Sequence, residues 1–276
     1  MTHPNPAADR PLPVRVERDG PVARILLDRP DALNAIDLGT ARLLLSAVLE
    51  LRAPDSSCSV IVVESTGRAF CTGGDVSAIM SAPRPDHYLR DLATTAAEAF
   101  HLLETSGAVV VCAIDGMTAG AGIAFALAAD IVIATPAAVF LSAYGDVGLV
   151  PDCGVTDSLP RAIGRRRALD FVLTGRPVRA SEALEWQLVT EVVPRSELTE
   201  RVRERVQALA ARPPHVAAAA KRLLRTDAAH RVERSAEETD VLVELLAVPA
   251  TRALMDAEHE RQRRRAARPR RTAARV

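Results

Sequence analysis

The 276-residue sequence predicts an α/β fold with a helical C-terminal part. Three observations carry that expectation. Short, continuously apolar runs rich in β-branched residues, such as "CSVIVVES" and "AVVVCAID", read as buried strands. Segments of helical period separate such runs up to about residue 150. Beyond Pro160 the text is mainly helical.

Taken in order, residues 1–12 are Pro-rich and expected to be loose. "VRVERDGPVARILLDRP" alternates as two strands around an Asp19-Gly20 turn. "DLGTARLLLSAVLELR" has helical period, with Asp37 as N-cap. "CSVIVVES" is a buried strand, "HYLRDLATTAAEAFHLLETS" an amphipathic helix and "AVVVCAID" a second buried strand. The stretch "SAPRPDHYLRD" reads as loop-like. "GAGIAFALAAD" reads as a buried helix and "IVIATPAAVFL" as one or two strands. Five helical segments follow: "RRRALDFVLTG", "SEALEWQL", "LTERVRERVQALAAR", "HVAAAAKRLLRT" and "AEETDVLVELLAV".

Composition excludes several classes. No apolar stretch is long enough to span a bilayer, since "AGAGIAFALAA" stops at Asp130. The N-terminal residues lack a signal-peptide pattern, so a cytoplasmic protein is expected. Cys58, Cys71, Cys112 and Cys153 are scattered, with neither a CxxC pair nor metal-ligand spacing to histidine. Residues 261–276 hold eight arginines and no acid, leaving 27 basic against 35 acidic residues elsewhere. No aromatics interleave those arginines, so a solvated tail is expected and a nucleic-acid partner is disfavoured.

Three loops carry candidate chemistry. "GRAFCTGGDV" follows a predicted strand; Gly73-Gly74 would let backbone approach a ligand, although a tight turn with Asp75 capping the next helix fits equally. "DGMTAGAGIAFALAAD" places Gly120-Ala121-Gly122 at a helix start, where free N–H groups attract anions. A dinucleotide fingerprint fails there, because Phe125 occupies the third glycine position. Neither GxxxxGK[ST] nor GxSxG occurs. "SAYGDVGLVPDCG" supplies Asp146 and Asp152, either of which suits an ordinary turn. One backbone donor from each glycine loop, with a nearby carboxylate, would stabilise and protonate an enolate.

"DRPDALNAID", "GRAFCTGGDVSAI", "AIDGMTAGAGIAFALAADIVIA" and "GLVPDCGVTDSLPRAIGRRRALDFVLTG" together resemble the crotonase (enoyl-CoA hydratase/isomerase) superfamily, in order over roughly residues 14–195. The resemblance implies a spiral of ββα units over residues 13–195, a helical trimerisation region over 196–260 and an Arg-rich tail over 261–276. It also implies a homotrimer or a dimer of trimers, and an acyl-CoA substrate with no separate cofactor or metal. The oxyanion donors fall on the N–H groups of Gly74 and Ala121. Asp31, Leu33, Ala69, Thr72, Gly73, Asp75, Gly120 and Tyr144 would contact the substrate.

The sequence departs from the hydratases at both of their glutamates, whose positions hold Ala124 and Tyr144. Alanine transfers no proton, and a tyrosine with a reference pKa of about 10 is a poor base at neutral pH. Isomerase and aromatic dehalogenase branches instead place a working carboxylate in the turn occupied here by Asp152. The blocks most resemble ring-1,2-epoxyphenylacetyl-CoA and Δ3,Δ2-enoyl-CoA isomerases. The expectation is therefore an isomerase with Asp152 as single acid/base, ahead of a hydratase, a thioester hydrolase or a non-catalytic acyl-CoA binder. Asp146 is assigned to the pocket rim, and Cys153 lacks a histidine partner for nucleophilic work. Gln187, where the family usually has glycine after Glu-Trp, is expected to cost little.

Overall fold

A computed structural model describes residues 12–53, 55–225 and 228–267, apart from the side chains of residues 228–231. Residues 1–11 of the expected loose N-terminus, and residues 268–276 of the tail, lie outside the described residues. The chain opens with β1 (Val14–Asp19) and β2 (Val22–Leu27), the expected antiparallel pair, with Asp19 paired to Val22 and the turn made by Gly20-Pro21, one residue beyond the expected Asp19-Gly20. Helix α1 (Leu38–Arg52) follows, capped by Asp37, whose side chain accepts from the Thr40 N–H at 2.7 Å.

The next elements repeat one pattern. β3 (Val60–Ser65) and β4 (Ala69–Cys71) precede α2 (Val76–Ser81) and α3 (Pro85–Glu104). β5 (Val109–Ile114) and β6 (Met117–Ala119) precede α4 (Gly122–Ala128). β7 (Ile131–Ala134) and β8 (Val139–Leu141) precede α5 (Val155–Ile163) and α6 (Arg165–Thr174). In each turn the first strand joins one sheet and the second joins another. β9 (Val178–Arg179), α7 (Ala180–Glu185) and β10 (Glu191–Val192) close the two sheets. Their strand orders are β1-β2-β3-β5-β7-β10 and β4-β6-β8-β9. This is the expected spiral of ββα units.

The β-branched runs are explained by burial on both faces. Ile61 and Val63 of β3 face the main core, whereas Val60 and Val62 pack with Val111, Ala113 and Ile133 against Val202 and Val206 of α8 (Leu198–Ala210). The C-terminal part continues through α9 (Pro214–Leu224), α10 (Ala228–Leu246) and α11 (Pro249–Ala266). Helix α11 runs through the expected boundary at residue 261, so Arg261 to Arg265 are helical rather than part of a loose tail. No helix among the described residues is long and apolar enough to cross a membrane.

Two further expectations need correction. The loop-like "SAPRPDHYLRD" is largely helical: α2 ends at Ser81, and Pro85 starts α3 in the first turn, where its missing N–H is no loss. "IVIATPAAVFL", expected as one or two strands, forms two, one in each sheet. Gln187, expected to be harmless, carries φ +65°. It sits just past α7 in a Schellman arrangement, with its N–H on the Leu184 carbonyl at 3.0 Å and the Leu188 N–H on Ala183 at 2.9 Å. A side chain in that conformation costs about 1–2 kcal/mol. Glycine's extra freedom in the unfolded chain offsets about 0.4–1 kcal/mol of this. Gln187→Gly should therefore raise stability by about 0.5–1 kcal/mol, read as a higher thermal midpoint. An unchanged or lower midpoint would contradict the strain assigned to this cap.

Candidate active site

The site is built where the two glycine loops touch. Gly73 has φ +87°, and a Cβ there would lie 2.9 Å from the Ala119 carbonyl oxygen and 3.1 Å from the Ala121 nitrogen. A Cβ on Gly122 would collide with the Cys71 carbonyl. Only glycine allows this backbone approach. The contact brings Gly74 and Ala121 onto the lining of one cleft. Among the described residues neither N–H has a hydrogen-bond acceptor. Ile36 engages the segment beside Gly74, accepting from Asp75 N–H at 2.9 Å and donating to the Gly73 carbonyl at 2.8 Å.

The loop "DRPDALNAID" is fixed behind them by a buried polar residue. Asn34 donates to the carbonyls of Thr66 and Ala69, both at 2.8 Å, and accepts from the Arg29 N–H at 2.8 Å. Leu33 and Asn34 both have positive φ, which this network holds in place. The Arg29 guanidinium binds Asp75 at 2.7 Å and Asp37 at 3.3 Å, tying the N-caps of α1 and α2 together. Asp75 also caps α2 by accepting from Ala78 N–H at 3.0 Å.

The cleft encloses about 910 Å³. Asp31, Leu33, Thr72, Gly74, Asp75, Gly120, Ala121, Tyr144 and Asp152 all line it. Ala69 and Gly73 do not. Ala69 is buried in β4 with its carbonyl accepting from Asn34, and Gly73 supports the loop contact from behind. In this structure both serve the scaffold behind the cleft. Asp146 lies at the exposed rim, as expected.

Asp152 and Tyr144 form a pair that sequence reasoning missed. The Tyr144 hydroxyl, expected to face substrate, donates to Asp152 Oδ1 at 2.9 Å. Burial pushes the Asp152 carboxyl above its ordinary range, opposed by donation from Tyr144 and Cys153. Burial, then the charge of Asp152, raises Tyr144 well above the usual phenol value. The same two causes raise the Cys153 thiol, so it is a poor nucleophile. Ala124 is buried, and lines a small hollow together with Cys153 and Gly154 of the Asp152 turn.

Further residues complete the lining. Leu89, Leu92, Ala93 and Ala96 form one apolar face of α3, at the i, i+3, i+4, i+7 spacing that the sequence displays. Leu242 and Leu254 close the apolar side from α10 and α11. Arg68, Arg263 and Arg265 stand on the lining as well. Among the described residues no group of three or more His, Cys, Asp or Glu is placed to hold a metal ion. The arrangement offers two backbone donors for a developing oxyanion and one carboxylate of raised basicity beside an apolar wall.

Comparison with known proteins identifies the family. The sequence profile of the enoyl-CoA hydratase/isomerase family matches residues 17–262. A 1,2-epoxyphenylacetyl-CoA isomerase of Escherichia coli is 33% identical over 200 residues, covering 70% of this chain and 74% of the relative. A probable mitochondrial enoyl-CoA hydratase of Dictyostelium discoideum is 35% identical over 182 residues, 66% of this chain and 64% of the relative. A 4-chlorobenzoyl coenzyme A dehalogenase of Arthrobacter is 30% identical over 226 residues, 81% and 82% of the two chains. The crystal structure of an enoyl-CoA hydratase from Bacillus halodurans superposes with a TM-score of 0.82 at 29% identity, covering 89% of this chain and 99% of that one. The chain belongs to the enoyl-CoA hydratase/isomerase family.

Proposed function

We propose that the protein is an acyl-CoA isomerase that moves a double bond, or opens a ring epoxide, through a thioester enolate. The observation that carries this reading is the buried carboxylate of raised basicity: Asp152 lines the cleft together with Gly74 and Ala121, while Ala124 and Tyr144 stand where the family resemblance puts the two hydratase glutamates. Activating water for addition calls on both of those groups, whereas moving a proton calls on one.

For double-bond migration, ionised Asp152 takes a proton from the carbon between the thioester carbonyl and the alkene. The electron pair moves onto the thioester oxygen, where the N–H groups of Gly74 and Ala121 meet the developing charge. Protonated Asp152 then returns the proton at the far end of the conjugated system. Reactant and product are isomers, and the enzyme ends as it began. The apolar face of Leu89, Leu92, Ala93 and Ala96 excludes water and suits an apolar acyl group. Arg68, Arg263 and Arg265 provide positive charge for the phosphates of the CoA portion.

Tyr144 tunes the base. Its hydroxyl stabilises the ionised carboxylate and so limits the rise that burial imposes. Because the working form is the carboxylate, activity rises with pH through the Asp152 pKa, which lies above the usual aspartate value. Tyr144→Phe removes a donor to the charged form, so the acid limb of kcat/KM should move to higher pH. An unmoved limb, or one shifted to lower pH, would separate Tyr144 from the base. Asp152→Asn should lower kcat by about 10²–10⁴-fold, the usual contribution of a general base. Acyl-CoA binding, measured by calorimetry, should stay within a few-fold; full turnover by this variant would remove Asp152 from the mechanism.

A further inference from the structure

Behind the Asp152 turn lies a second buried carboxylate to which the proposed reaction gives no role. Glu238, on α10, is 4% exposed. It reaches a segment more than 80 residues earlier in the chain. One carboxylate oxygen accepts from the Gly154 N–H at 2.7 Å and the other from the Thr156 N–H at 2.9 Å. The Thr156 hydroxyl donates to it as well.

The held segment is one that would not keep its shape unaided. Cys153 has φ +56° and Gly154 φ +78°, two successive left-handed residues of which one carries a side chain. The turn closes through the Val155 N–H on the Asp152 carbonyl at 3.0 Å. Strained backbone persists where its surroundings over-determine it, and here the surroundings include a carboxylate bridging both N–H groups. Relaxation of Cys153 toward ordinary φ would swing Asp152 relative to Gly74 and Ala121, which the glycine-loop contact keeps fixed. We infer that Glu238 is a positioning residue, clamping the N–H groups of Gly154 and Thr156 so that the turn keeps Asp152 aimed into the cleft. Burial pushes Glu238 up to about 7, while its hydrogen-bond donors favour the ionised form that grips them; the nearby Asp152 charge adds to the rise.

The link to turnover rests on the reading of Asp152 as base, so the test has an arm that needs no substrate. Full-length protein and the variants Glu238→Ala and Glu238→Gln are treated with iodoacetamide, and labelling of each cysteine is followed by peptide mass mapping. Cys153, Cys71 and Cys112 are all buried in the native protein. The clamp predicts that Glu238→Ala labels Cys153 at least tenfold faster while Cys71 and Cys112 stay protected. Glu238→Gln, which keeps one acceptor oxygen, should fall between Ala and the native protein. Native-like labelling of Cys153 in both variants would overturn the inference. So would equal acceleration of all three cysteines, which marks global loosening, or equal rates for Gln and Ala, which mark a charge effect on the thiol. In the second arm, on 3-hexenoyl-CoA, kcat should fall at least tenfold in Glu238→Ala with KM within twofold; an unchanged kcat would overturn the positioning role. Lack of turnover by the native protein on that substrate would count against the isomerase reading, and the labelling arm would still decide the clamp.

Discussion

The approach of two backbone segments, residues 71–74 and 119–122, is the constraint on which the site depends. β4 and β6 pair in parallel within the smaller sheet, and the loops that leave them are pressed together beyond the strand ends. No side chain larger than hydrogen fits at Gly73 or Gly122 without displacing the opposing backbone. The donors of Gly74 and Ala121 are therefore held by covalent geometry and sheet pairing, not by flexible side chains. Donors fixed before the reaction need no reorganisation as charge develops on the substrate oxygen, which is how such sites lower a barrier.

The acid–base side of the site is assembled differently. Asp152 comes from a turn between sheet and helix, in an environment where burial favours its neutral form and Tyr144 favours its ionised form. The balance leaves a carboxylate that is a stronger base than a solvated one yet still ionisable. Such a group suits a proton that must be taken and then given back. Tyr144, where the family resemblance puts a hydratase glutamate, spends its hydroxyl on the neighbouring carboxylate.

Much of this was legible in the sequence. The β-branched runs, the Asp37 cap and the glycine loops follow from local chemistry, and the inner face of α3 is written in the spacing of Leu89, Leu92, Ala93 and Ala96. The division of each strand pair between two sheets was not, because periodicity within a strand carries no label for its sheet; only the family resemblance suggested the spiral. Nor was the placement of Ala69 and Gly73 off the cleft lining legible, because a motif does not say which face of a loop meets the cleft. The Tyr144 hydroxyl bond to Asp152 and the reach of Glu238 to Gly154 depend on tertiary placement, the latter across more than 80 residues. Helix α11 was cut short in the sequence reading because its arginines look like a solvated tail, whereas its cleft-facing residues reach Arg261 and beyond.

The central claim is that one carboxylate and two backbone donors move a proton without adding water. The most direct test incubates the protein with 3-enoyl-CoA and 2-enoyl-CoA in deuterium oxide, with products analysed by mass spectrometry and NMR. The account predicts migration of the double bond with deuterium entering at the exchanging carbons and no 3-hydroxyacyl product. Formation of 3-hydroxyacyl-CoA at a comparable rate would contradict it, and would mean that water is activated without the two glutamates.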